Sequence, residues 1–153
     1  MPSYTLRDET FMRMAIEQAK LAGQLGEIPV GAVVVKDDTV IGRGYNRREI
    51  DSSATAHAEI VAIEDACKAL GTWRLTGCDL YVTLEPCPMC AGAIINARIH
   101  RVVYGVRDEK AGCCGSVADF FAMPFNHTPL CRSGILAEEC SAVLKDFFKD
   151  LRG

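Results

Sequence analysis

Two short runs, Thr55-Ala56-His57-Ala58-Glu59 and Glu85-Pro86-Cys87-Pro88-Met89-Cys90, restrict the fold of this chain more than any other feature. Both lie where an apolar helix should begin. After the first, Ile60, Ala62, Ile63, Ala66 and Cys67 recur at helical spacing, which predicts a helix over about 58–70 that Gly71 ends. After the second, the apolar stretch from Ala91 to Ala97 predicts another helix. Pro86 and Pro88 are tolerated at its start, because first-turn N–H groups lack intrahelical partners anyway. If the two runs act together, the fold must bring two helix N-termini to one place.

The rest of the chain supplies a frame that can do this. Phe11, Met12, Ala15, Ile16 and Ala19 form an apolar helical stripe within about 8–25. The β-branched run 30–36 and the segment 39–46 read as a hairpin turning at Asp37-Asp38. Strands follow over 79–85 and 101–105, and a last helix over about 136–151. A helix, a hairpin, then strands alternating with helices predict an α/β fold with a mixed sheet between helical layers. The chain has 153 residues and neither repeats nor a linker, so one domain spanning 1–153 is expected.

Its 49% hydrophobic and 24% charged residues are ordinary for a globular protein. No apolar run approaches the roughly 20 residues of a membrane span. The polar, acid-bearing start (1–10) is unlike a secretory signal, which makes the cytoplasm the expected location. A net charge of −3 argues against a strongly basic nucleic-acid binder and leaves room for a local basic patch. Candidates are Arg43, Arg47 and Arg48, Arg98 with Arg101, Arg107 with Lys110, and Lys145, Lys149 and Arg152; residues spread in this way more often form a solvated face. Trp73 is expected in the core, and Phe147-Phe148 fit either core packing or a base-stacking platform.

Eight cysteines without an export signal favour metal binding or simple burial over disulfides. Only Cys87 and Cys90 have ligand spacing; the adjacent Cys113 and Cys114 read as reduced structural thiols. Cysteines three apart share a helix face, and a helix N-terminus stabilises the thiolate that binds metal. His57 completes three donors of the type zinc accepts. Structural zinc sites close with four protein ligands, whereas catalytic ones keep a position for water. Three donors therefore point to an open, catalytic centre, in which zinc lowers the pKa of its water toward ~7. Glu59 is the candidate proton carrier. Residues two apart on a helix project about 200° from each other, so His57 and Glu59 share a pocket only if it wraps around the helix tip.

The combination H-x-E then P-C-x-x-C resembles the signature of the zinc-dependent deaminase superfamily. The stretches IPVGAVVVKDD (28–38), GYNR (44–47), TAHAEIVAI (55–63), WRLTGCDLYVTLEPCPMCAGAI (73–94), ARIHRVVYGVRDEKAG (97–112) and GILAEEC (134–140) resemble the bacterial tRNA adenosine deaminases. That resemblance implies a three-layer α/β/α cytidine-deaminase-like fold with a mostly five-stranded sheet. It implies one Zn2+ per chain and a homodimer acting on a tRNA anticodon stem-loop. The implied reaction is hydrolysis of wobble adenosine to inosine by zinc-bound hydroxide attack at C6, with Glu59 shuttling protons. It also implies that Asn46 hydrogen-bonds the purine, that the backbones of Ala58 and Cys87 frame the pocket, and that Asp108, Lys110, Phe148 and Arg152 meet the RNA. By itself Asn46 reads equally as a turn residue closing a strand. The zinc motifs also fit a deaminase of a free base or nucleoside, such as guanine, cytosine or cytidine. A non-catalytic subunit of this fold would be expected to lack the proton carrier, and Glu59 is present.

Overall fold

The computed structural model describes residues 5–152. Its elements run α1 (Leu6–Gln24), β1 (Gly31–Lys36), β2 (Thr39–Tyr45), α2 (Ala58–Leu70), β3 (Asp79–Leu84), α3 (Pro88–Asn96), β4 (Arg101–Val106), a 3-10 turn (Phe120–Ala122), β5 (Leu130–Arg132) and α4 (Ala137–Arg152). The sheet order is β2-β1-β3-β4-β5. Strand β1 pairs antiparallel with β2 and β3, whereas β3–β4 and β4–β5 are parallel, so the sheet is mixed as expected.

Strand alternation divides the core into two layers. Ala32, Val34, Leu80, Val82 and Val102 point to one face, where they meet Ala62 and Ala66 of α2 and Ala91 and Ile94 of α3. Val33, Val35, Tyr81 and Val103 point to the other, against Phe11, Met12, Ala15 and Ile16 of α1 and Cys140 of α4. The architecture is three-layer α/β/α.

Two local devices hold helices to this sheet. Thr5 and Asp8 form a reciprocal capping box at the start of α1. Asp8 is also almost fully buried and ties α1 to the sheet: its carboxylate accepts from the Tyr81 hydroxyl at 2.6 Å and from Arg101 Nη1 and Nη2 at 3.2 and 2.5 Å. On the opposite face, α2 crosses β2 so closely that a Cβ on Gly44 would come within 2.6 Å of the Ala62 backbone nitrogen. Only glycine permits that approach.

Three expectations need correction or completion. Trp73 is not in the core: it is 54% exposed just beyond α2, with the Arg74 and Arg98 guanidiniums 4.7 and 5.7 Å from its ring centroid. Cation–π contact gives this ring a surface role that an apolar reading misses. The fifth strand, Leu130-Cys131-Arg132, carries no periodic signal of its own and exists through its parallel pairing with β4. Of the two phenylalanines near the end of α4, Phe147 is half-buried and Phe148 is 38% exposed. Cys113 and Cys114 are both buried and free, as read from the sequence. Among the described residues no helix is long and apolar enough to cross a membrane.

Candidate active site

Strands β2 and β3, which flank β1 and run parallel to each other, bring the two motifs together. Strand β2 leads through the 46–57 loop into α2, and β3 leads through Glu85-Pro86 into α3, so both helix N-termini open over the same end of the sheet. His57 and Cys87 are the N-cap residues, with extended backbones (φ −72°, ψ 156° and φ −77°, ψ 177°), and neither side chain is spent on capping its helix. A cap residue stands outside the first helical turn. This frees His57 from the 200° relation, and it shares one cavity with Glu59 at the helix tip.

The donor atoms of His57, Cys87 and Cys90 lie within 4.8 Å of one another. His57 Nδ1 is 3.6 Å from the sulfur of Cys87 and 3.6 Å from that of Cys90. Tetrahedral zinc with ordinary Zn–S and Zn–N bonds holds its sulfur and nitrogen donors about 3.6 Å apart. The three side chains therefore fit one zinc ion. Among the described residues no fourth His, Cys, Asp or Glu joins the group, which matches a centre with a coordination position to spare.

The electrostatics agree with that assignment. A hydrogen bond from the Cys90 thiol, reinforced by one from His57, holds Cys87 down to about 4, in the thiolate range. As donor in that pair, and buried, Cys90 has its own pKa pushed up. The hydrogen bond to Cys87 raises the pKa of His57 against the effect of burial. Glu59 is 4% exposed, and burial pushes its carboxyl up to about 7, outweighing its backbone hydrogen bond and the positive potential of His57.

A cavity of about 160 Å3 opens at this point, walled by Ile28, Val30, Leu84 and Ala111 and reached by His57, Ala58, Glu59, Cys87, Asn46 and Asp108. Asn46 is 7% exposed; its Nδ2 donates to the Ile28 carbonyl at 3.2 Å and its Oδ1 accepts from the Arg48 amide at 3.3 Å. Asp108 Oδ1 accepts the amides of Lys110 and Ala111, both at 3.1 Å. The Lys110 side chain is exposed and outside the cavity lining, as is that of Phe148, which stands edge-on to Phe147 with ring centroids 5.4 Å apart. Arg152 ends α4, and its side chain lies outside the described residues.

Two buried glutamates that carry no sequence signal hold the cavity walls. Glu27 accepts the amides of Glu49 and Ile50 at 3.1 and 2.7 Å. Glu85 accepts the amides of Asp108, Cys114 and Ser116 at 3.0, 3.0 and 3.1 Å, and the Ser116 hydroxyl. Burial alone would raise the Glu85 pKa, but the Ser116 hydroxyl and the three amides outweigh it and lower the value. Partners 22 to 31 residues away leave no local pattern to read.

Comparison with known proteins agrees with this geometry. The family described as the cytidine and deoxycytidylate deaminase zinc-binding region matches residues 5–106. A tRNA-specific adenosine deaminase of Bacillus subtilis is 50% identical over 147 residues, covering 95% of this chain and 91% of the relative. A solved structure from work on A-to-I editing by tRNA:A34 deaminases at the wobble position of transfer RNA superposes with a TM-score of 0.86 at 48% identity, covering 88% of this chain and 99% of the other. The structure of guanine deaminase from Bacillus subtilis aligns with a TM-score of 0.64 at 38% identity, covering 94% of this chain and 92% of the other. With a His-Cys-Cys group spaced for zinc and a carboxylate beside it, this chain is a zinc-dependent deaminase and belongs to the cytidine and deoxycytidylate deaminase family.

Proposed function

We propose that this enzyme hydrolyses adenosine to inosine at the wobble position of a tRNA anticodon, with the anticodon stem-loop as its partner. The observation that carries the reading is the His57–Cys87–Cys90 group with 3.6 Å donor spacings beside buried Glu59, in a chain about half identical to tRNA-specific adenosine deaminases. When bound by those three residues, zinc supplies the Lewis acidity that makes water a nucleophile at neutral pH. Glu59 would take one proton from the attacking water and pass it to the purine ring nitrogen, where it stays; it would then carry the second proton, from the new C6 hydroxyl, to the amine, so that ammonia leaves as the C6 carbonyl forms. Glu59 is buried at the tip of α2 and lines the same cavity as His57 and Cys87, which places a carboxyl where both transfers occur.

Asn46 orients the base. A side-chain amide has two N–H donors and an oxygen with two lone pairs. The Ile28 carbonyl and the Arg48 amide occupy one of each, which leaves one donor and one acceptor for the purine edge. Ala58 is the first residue of α2, where backbone N–H groups have no partner within the helix, so its amide and the Cys87 backbone frame the reacting face. Asp108 at the cavity wall, with Lys110, Phe148 and Arg152 further out, contacts the RNA. One deaminase domain spans 1–153 and acts as a homodimer in the cytoplasm; sedimentation velocity at micromolar concentration tests the dimer.

A second reading has specific support: the 38% identity to a guanine deaminase fits a free base as substrate. Ammonia release from a panel containing an anticodon stem-loop, free adenosine, guanine, cytosine and cytidine separates the two. The proposed function requires turnover of the stem-loop and poor turnover of free adenosine. Fast turnover of guanine or cytosine with none on the RNA overturns it.

A further inference from the structure

We propose that Glu85 is a positioning residue: it holds the 108–116 segment as the second wall of the pocket and thereby sets how tightly substrate is bound, without itself taking part in proton transfer. Two buried acids border the pocket, and their hydrogen bonds separate their roles. Glu59 stands at the tip of α2 within the cavity. Glu85 is equally inaccessible, at 2% exposure, but its oxygens are already engaged by three backbone amides and the Ser116 hydroxyl. A carboxylate offers about four acceptor positions, and four donors fill them. Nothing remains to accept a proton from water or substrate.

All four donors belong to one segment. The amide of Asp108 lies at its start, those of Cys114 and Ser116 at its end, and Asp108 and Ala111 line the cavity between them. The carboxylate thus cross-links the two ends of a loop whose middle forms the wall. Gly112 gives an independent sign of that clamp: a Cβ there would approach both Glu85 carboxylate oxygens to 2.5 Å, so the loop backbone is laid directly on the pinned carboxylate. One other backbone bond, from the Cys113 amide to the Pro86 carbonyl at 2.9 Å, ties the loop to the β3–α3 corner. His57 and Glu59 stand at the start of α2 and Cys87 and Cys90 at the start of α3, and among the described residues none of the four hydrogen-bonds to the 108–116 segment. Loosening the wall should therefore weaken uniform binding, seen in KM, more than the chemical step, seen in kcat.

The test compares Glu85→Gln with Ser116→Ala in the zinc-loaded full chain. Glutamine has the same shape but turns an NH2 toward amides that need an acceptor; Ser116→Ala removes one donor and keeps the carboxylate and its amide bonds. Expected for Glu85→Gln are amides of Asp108, Cys114 and Ser116 that exchange at least about tenfold faster, with the β3–β4 ladder unchanged. Zinc stays at one per chain, and KM for the anticodon stem-loop rises about tenfold with kcat within about threefold. Ser116→Ala should show the same pattern at reduced size, and it carries the test if Glu85→Gln does not fold. Unchanged exchange at those three amides, loss of zinc, or a fall in kcat at constant KM overturns the proposal. The kinetic arm rests on the tRNA reading given above, whereas exchange and zinc content do not. A wild-type protein inactive on the stem-loop therefore refutes that reading and leaves the amide measurement to decide the role of Glu85.

Discussion

Asp8→Ala should destabilise the fold substantially and leave the chemistry intact, because Asp8 belongs to the sheet's other face. The residue is 1% exposed, and its carboxylate is joined to Tyr81 at 2.6 Å and to Arg101 at 3.2 and 2.5 Å and also caps α1 through the Thr5 amide at 3.3 Å. Removing one partner of a buried ion pair costs roughly 3–5 kcal/mol, since the survivor is left uncompensated. Here Arg101 retains Asp79 at 3.3 Å and its side chain is 19% exposed, which moderates the loss, while the Tyr81 hydroxyl, though it still accepts from Arg7 and Arg101, loses the acceptor for its own proton and adds to it. We expect about 3 kcal/mol, a large share of the ~5–15 kcal/mol that stabilises a typical domain, and a fall in Tm of about 6–12 °C.

The pH dependence has a definite sign. Burial opposes the shift, but hydrogen bonds from Arg101 and Tyr81 lower the Asp8 pKa below its ordinary value. A carboxylate with a depressed folded-state pKa contributes stability above its unfolded pKa of about 3.9 and loses it as pH falls through the folded value. Urea unfolding of wild type and Asp8→Ala with chelator present, at pH 7 and at pH 3, should show the gap shrinking on acidification. At pH 7, kcat of the zinc-loaded variant should match wild type. A gap under about 1 kcal/mol at pH 7, or one that is constant or widens toward pH 3, would refute the reasoning.

Glu59→Gln keeps the shape of the side chain and removes the proposed proton carrier; turnover should fall about 10²–10⁴-fold while elemental analysis still finds one zinc per chain. Cys87→Ala removes one of three donors, so zinc content should drop well below one per chain, and thermal stability should no longer respond to added zinc. Gly44→Ala drives a methyl into the α2 backbone next to Ala62 and should cost about 1–3 kcal/mol in urea unfolding. Because Gly44 packs under the first turns of α2, the helix carrying Glu59 and capped by His57, this variant should also bind zinc more weakly, measured by competition with a chelator.

The local elements and the candidate metal donors are legible in the chain alone. Helix α2 starts at Ala58 and ends at Leu70 as its apolar spacing requires, and His57, Cys87 and Cys90 carry soft donors whose chemistry needs no fold to be recognised. Periodicity and capping are written within a few residues, so they can be read there. The packed fold settles what depends on residues distant along the chain. It resolved the two-residue spacing of His57 and Glu59 by making His57 a cap rather than a helical residue. It made a strand of Leu130–Arg132 by lending it β4 as a partner, and it left Trp73 exposed between two arginines. It also turned Glu27 and Glu85 into anchors for loops more than twenty residues away. The free energy of a buried carboxylate depends on which donors surround it, and those donors are assembled only when the strands pair and the helices dock.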